Sequence, residues 1–208
     1  MRAIDPKRTF TKQSKTPPKR VFETPGSPLI IHTWVIAEHK AQLAKDIAAA
    51  RAQADIVVCT FHWGVSKEFR HLTEYQVKLG RFAVDSGADF VFGHRPHLLQ
   101  GIEMHNGRAI CYSLGNFTFA GHRPHKGHEY ETGIIRCRIR DKKICAVHFL
   151  PARGDKNVEP RVLNIEESRD VIELIKARSA DLGTVFVEAG NCLRVVADAS
   201  RIETPKAA

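Results

Sequence analysis

Two histidines stand where apolar runs stop. His62 closes the run in VCTFHWGVSKEF (58–69) and His94 closes the run in VFGHRPHLLQGIE (91–103), each with a glycine one or two positions away. Neutral imidazole is the commonest protein ligand for zinc and also suits iron, copper and nickel. The neighbouring glycines allow a sharp turn that brings a side chain onto a site. Pro96 fixes the turn between His94 and His97, so both rings could serve one centre. On spacing alone two readings stand side by side, a metal site and a set of hydrogen-bonded structural histidines. The other histidines have blander settings. His39, His71 and His128 lie in polar surroundings that suit the surface. His105 flanks an Asn-Gly turn, and His148 sits inside a strand pattern.

The elements around these histidines follow from periodicity. The segment at 37–54, AEHKAQLAKDIAAARAQA, is alanine-rich with Leu43, Ile47 and Ala50 at helical spacing. DIVVCTF (55–61) is a continuous β-branched run, which predicts a strand buried on both faces. LTEYQVKLGRFAVDSG (72–87) predicts a helix ended by Gly87, and DFVFG (89–93) a second buried strand. Helix, strand, helix, strand is the order of a right-handed parallel crossover. In such sheets ligands bind outside the carboxyl ends of the strands, where His62 and His94 fall. PLIIHTWVI (28–36) is a further strand candidate. Asn106-Gly107 predicts one hairpin and Asp141-Lys142 a second, whose Ile and Cys alternate with Arg and imply one wet face. A last helix is expected over 165–183 and one or two strands over 184–199.

Composition sets outer bounds. The 208 residues suffice for one sizeable core, and 43% hydrophobic with 26% charged residues is ordinary for a globular protein. The formal charge is +9, but the basic residues are spread along the chain apart from an N-terminal cluster. This favours a solvated surface over specific nucleic-acid binding, while leaving room for a phosphorylated or polyanionic partner. Five cysteines without a C-x-x-C pair argue against a disulfide framework. Residues 1–28 read as a flexible, basic, proline-bearing lead-in, and 29–208 as the domain. No apolar run approaches the roughly 20 residues that span a bilayer, and no signal peptide is evident, so the sequence as it stands reads as cytoplasmic.

The words AQADIVVCTFHWG, EYQ, DSGADFVFGHRPH, LLQGIE and AICYSLGNFTF follow one another between residues 28 and 119. In that order they resemble the CapA family of bacterial poly-γ-glutamate capsule synthesis, a branch of the calcineurin-like metallophosphoesterase superfamily. The resemblance implies an α/β fold of the α/β/β/α sandwich type. It also implies divalent metal ions (manganese, iron or zinc), two in an intact member. By the same resemblance His62, His94 and His97 match late metal-binding blocks. Ser113-Leu114-Gly115-Asn116 matches the family's S-L-G-N word, read as a loop that shapes the site with Asn116 as a candidate substrate contact, and in a phosphoester hydrolase Arg95 could help neutralise the phosphate. Members with a single residue between the last two histidines differ from His94-Arg95-Pro96-His97.

The early aspartate and the Asn-Asn-His word of the family have no counterpart here, so no acidic bridging ligand and no general acid can be assigned. The expected sandwich is therefore incomplete, the carboxyl half of a CapA domain, with sheet edges open to self-association. Two functions of different kind follow. One is a metal-dependent phosphoester hydrolase of capsule biosynthesis, active if the early blocks are supplied. The other is a non-catalytic binding or assembly protein for an anionic polymer, or a truncated remnant. A full-length relative could associate with the cell envelope.

Overall fold

The computed structural model describes residues 33–65, 71–118, 130–154 and 159–198. Helix α1 (Ala37–Arg51) buries Leu43 and Ile47, four residues apart on one face. Its last residue, Arg51, reaches across to the carboxylate of Asp89 and to the Gly87 carbonyl, tying the helix to the turn before a strand. Helix α2 (Glu74–Asp85) starts at Thr73, whose backbone N–H and hydroxyl donate to Gln76 Oε1 at 3.1 and 2.9 Å. Gly87, at φ 111°, turns the chain out of it.

These helices cover one face of a four-stranded sheet. Its order is β1 (Val58–His62), β2 (Phe90–His94), β4 (Arg108–Cys111), β3 (Ile102–His105). The pairs β1/β2 and β2/β4 are parallel, and β3/β4 is the expected hairpin, with Asn106 and Gly107 at φ 49° and 73°. The second sheet is antiparallel, in the order β5 (Glu131–Arg140), β6 (Lys143–Arg153), β9 (Leu193–Ala197), β8 (Thr184–Glu188). A short β7 (Arg161–Val162) pairs with β6. The β5–β6 hairpin turns at Asp141 and Lys142 as expected.

Alternation along the strands gives the first sheet two cores. Val91, Ile110 and Tyr112 face the helices and join Leu43, Ile47, Ala83, Val84 and Trp63. Phe90, Ile102, Ala109 and Cys111 face the second sheet and join Val147, Phe149, Phe186, Leu193 and Val195. Helix α3 (Arg169–Ser179) adds Val171, Ile172 and Ile175 to this second core. It therefore packs into the core shared by the two sheets. The architecture is α/β, as expected, with two stacked sheets and helices on the outer face of the first.

Two elements depart from expectation. The β1 strand is not buried on both faces. Cys59 and Phe61 pack on the helix side, while Val58, Thr60 and His62 are exposed on the other. Among the described residues β1 is an edge strand paired only with β2, so its run of β-branched residues meets a covered surface on one side alone. The strand expected over 28–36 falls partly outside the described residues, and its described part, 33–36, is not a strand. There Thr33 Oγ1 accepts the Tyr75 N–H at 3.1 Å, so this segment satisfies an open donor at the start of α2.

Candidate metal-binding site at the strand ends

His62 and His94 are the last residues of two neighbouring parallel strands and stand opposite each other in register. Their rings meet edge to face, centroids 4.9 Å apart and planes at 74°. The next link is also fixed, since the Trp63 N–H donates to the His94 carbonyl at 3.1 Å. Both residues are exposed, on the β1/β2 face that the second sheet leaves uncovered at β1. Partial burial of the His94 ring, which stacks 6.4 Å from Phe92, lowers its pKa and favours the neutral imidazole that metals require.

Packing beneath holds the two strand ends at this separation. Trp63 is buried between β2 and α2, its ring stacked on Phe61 and its Nε1–H donated to the Tyr112 carbonyl at 2.7 Å. Gly93 leaves room for that bond, because a Cβ there would lie 2.1 Å from Trp63 Nε1 and 2.2 Å from the Tyr112 oxygen. Gly64, at φ 85°, donates its N–H to the Tyr75 hydroxyl at 2.5 Å and lies against Pro96.

The turn after β2 has unusual backbone. Arg95 and His97 take φ of 99° and 61°, uncommon for residues with side chains. The Arg95 guanidinium donates to the carbonyls of Gly64 and Val65, binding the turn after β2 to the turn after β1. It thus braces the two histidine loops against each other. His97 Nδ1 lies 2.9 Å from Asn116 Oδ1, and Asn116 Nδ2 donates to the His97 carbonyl at 3.5 Å. With Nδ1–H given to Asn116, a neutral His97 ring carries its lone pair on Nε2. Gly115, at φ 76°, and a bridge between Leu99 and Leu114 bring this loop onto the histidine turn.

The structure therefore brings His62 and His94 together, ties Arg95 to their loops, and pairs His97 with Asn116. Among the described residues no three side chains of His, Cys, Asp or Glu converge as a ligand group. Two imidazoles fit a single divalent ion that takes its remaining ligands elsewhere. They do not fit an ion pair bridged by an acid. The sequence reading missed Tyr75 and Trp63, although the H-W-G word contains the tryptophan that sets the loop.

A family model described as bacterial capsule synthesis protein PGA_cap matches residues 3–121, which hold both histidine turns and the Ser-Leu-Gly-Asn loop. The chain belongs to that family. The match begins well before residue 28, so it includes the segment that composition marks as a lead-in. The PGA biosynthesis protein CapA of Bacillus subtilis (strain 168) is 47% identical over 73 residues, covering 35% of this chain and 19% of that protein. The capsule biosynthesis protein CapA of Bacillus anthracis is 38% identical over 159 residues, covering 76% of this chain and 36% of that protein. The uncharacterized protein y4sH of Sinorhizobium fredii is 32% identical over 80 residues, 38% of this chain and 17% of that protein. The chain thus spans little more than a third, or less, of the length of these relatives. No helix among the described residues is long and apolar enough to cross a membrane.

Proposed function

We propose that this chain acts in the biosynthesis of a bacterial capsule polymer of the poly-γ-glutamate type, and that His62 and His94 supply two ligands to a divalent cation. Membership of the capsule synthesis family supports the first part. One observation carries the second: two imidazoles in register at the ends of adjacent parallel strands, 4.9 Å apart between centroids. Strand carboxyl ends are where α/β sheets place ligands. A divalent ion held there would keep coordination positions for oxygens of a phosphate or carboxylate substrate. His97 and Asn116 shape the adjoining loop, and Arg95 holds the two turns at a fixed spacing. Thermal melts of the wild type, His62→Ala and His94→Ala, each with and without manganese or zinc, test the reading. Metal at a hundredfold excess over its dissociation constant should stabilise the wild type by about 2.7 kcal/mol. Either alanine should remove most of that gain while costing little without metal. A wild type indifferent to both metals, or alanine variants that melt far lower without metal, would mean the histidines are structural.

A further inference from the structure

The outer face of the second sheet carries arginines that have no acidic partner among the described residues. Cross-strand register puts Arg136 on β5 opposite His148 on β6, His148 opposite Arg194 on β9, and Arg194 opposite Val187 on β8. Arg138 lies two residues along β5 from Arg136, on the same face and opposite Ala146. Val185 and Val187 stand on this face at 40% and 50% exposure, which offers aliphatic surface beside the charges. Several other arginines pair with carboxylates. Arg51 and Arg108 pair with Asp89, Arg81 with Glu103, Arg153 with Asp170, Arg161 with Glu167, and Arg169 with Glu166 and Glu188. Arg136, Arg138 and Arg194 are all exposed, and among the described residues none has an ion pair.

We propose that this face binds a linear polycarboxylate, with Arg136, Arg138 and Arg194 pairing with successive carboxylates and Val185 and Val187 packing against the aliphatic chain between them. The choice of polymer rests on the capsule reading above, while the site rests on the arginines. Strand spacing of about 4.8 Å puts Arg136 and Arg194 about 10 Å apart across the sheet, and pleat spacing puts Arg136 and Arg138 about 7 Å apart along it. Such a grid suits a chain with repeating charge better than a single small anion. The guanidinium fork pairs with carboxylate in two parallel hydrogen bonds. The strand residues of this face include no Phe, Tyr or Trp, the platforms on which single-stranded nucleic acids stack, and His148 is their one ring.

The test uses the intact chain and fluorescein-labelled poly-γ-glutamate, with binding read by anisotropy at low and at physiological salt. Arg136→Gln/Arg194→Gln should weaken binding at least tenfold and flatten its salt dependence. Arg138→Gln alone, a single change on an edge strand, should weaken it severalfold. Lys45→Gln/Lys176→Gln removes the same charge from α1 and α3 and should stay within about twofold of the wild type. Equal loss in the lysine control would reduce the effect to net charge and overturn the proposal. So would undiminished binding by the arginine variants, or stronger binding of polyuridylate or polyphosphate than of the polycarboxylate. The metal-dependent melt at His62 and His94 should be unchanged in all these variants. Failure of the arginine site thus leaves the histidine reading standing, and the reverse also holds.

Discussion

Gly93→Ala should damage both the fold and the histidine pair. The new methyl would lie 2.1 Å from Trp63 Nε1, 2.5 Å from Trp63 Cε2 and 2.2 Å from the Tyr112 carbonyl oxygen. Favourable contacts lie near 3.5–4.0 Å, so neighbours must retreat by more than about 1 Å. The Tyr112 oxygen belongs to the backbone, and Trp63 is only 1% exposed, so neither can swing into solvent. Overpacking of this kind costs about 1–3 kcal/mol, and losing the indole-to-carbonyl bond inside the core costs about 1–3 kcal/mol more. A total of roughly 2–6 kcal/mol is a large part of the roughly 5–15 kcal/mol that holds a domain folded. With a urea slope of about 2 kcal/mol/M, the midpoint should fall by about 2 M. Fluorescence gives a second readout. The chain has two tryptophans, and Trp34 is 72% exposed, so blue-shifted emission reports Trp63. That emission should shift red in the variant, and the metal-dependent stabilisation should shrink because Trp63 and Gly93 flank the two histidines. A midpoint within about 0.3 M of the wild type, with emission unchanged, would refute the packing argument.

Other consequences follow from named contacts. Glu103 is buried against Arg81, with Nε to Oε1 at 2.6 Å, and accepts the Tyr112 hydroxyl. Arg81→Met should cost roughly 2 kcal/mol in urea unfolding, less than a fully buried pair because Arg81 is 45% exposed; a change under about 0.5 kcal/mol would contradict this. His148 is held below the ordinary histidine pKa by burial and by the charges of Arg136, Arg138 and Arg194. The folded state then binds fewer protons than the unfolded state, so this contribution is full above about pH 6.5 and fades as pH falls through the lowered folded value. His148→Gln should flatten that acid-side loss in denaturation curves, and an unaltered pH dependence would remove His148 as its source. Gly115→Ala places a side chain at φ 76° with its Cβ 2.9 Å from the Glu131 oxygen. It should cost at least about 1–2 kcal/mol from the left-handed backbone alone, and a melt unchanged from the wild type would argue against the loop geometry.

The alternation of helix and strand from 37 to 94 was legible because each element carries its own periodicity and stop signal. Asn106-Gly107 was legible for the same local reason, as only a few residue types accept two successive positive φ values. The meeting of His62 and His94 followed from topology, since parallel neighbours end on the same edge. Long-range partners were not legible. Nothing local in DIVVCTF tells that one face of β1 stays open, because that depends on how far the second sheet reaches. The bracing role of Arg95 depends on carbonyls some thirty residues earlier, and the His97–Asn116 pair closes over nineteen residues. The wet face of the β5–β6 hairpin was visible in its alternation. Arg194 could join that row only once β9 was known to pair with β6.

The most direct measurement of the histidine site is anomalous X-ray scattering from crystals grown with manganese or zinc. A peak is expected at the carboxyl ends of β1 and β2, within about 2.0–2.2 Å of one ring nitrogen each of His62 and His94, and absent from crystals of His94→Ala. Well-ordered imidazoles at 4.9 Å with no anomalous density between them, at metal concentrations that saturate any stabilisation of the chain, would contradict it.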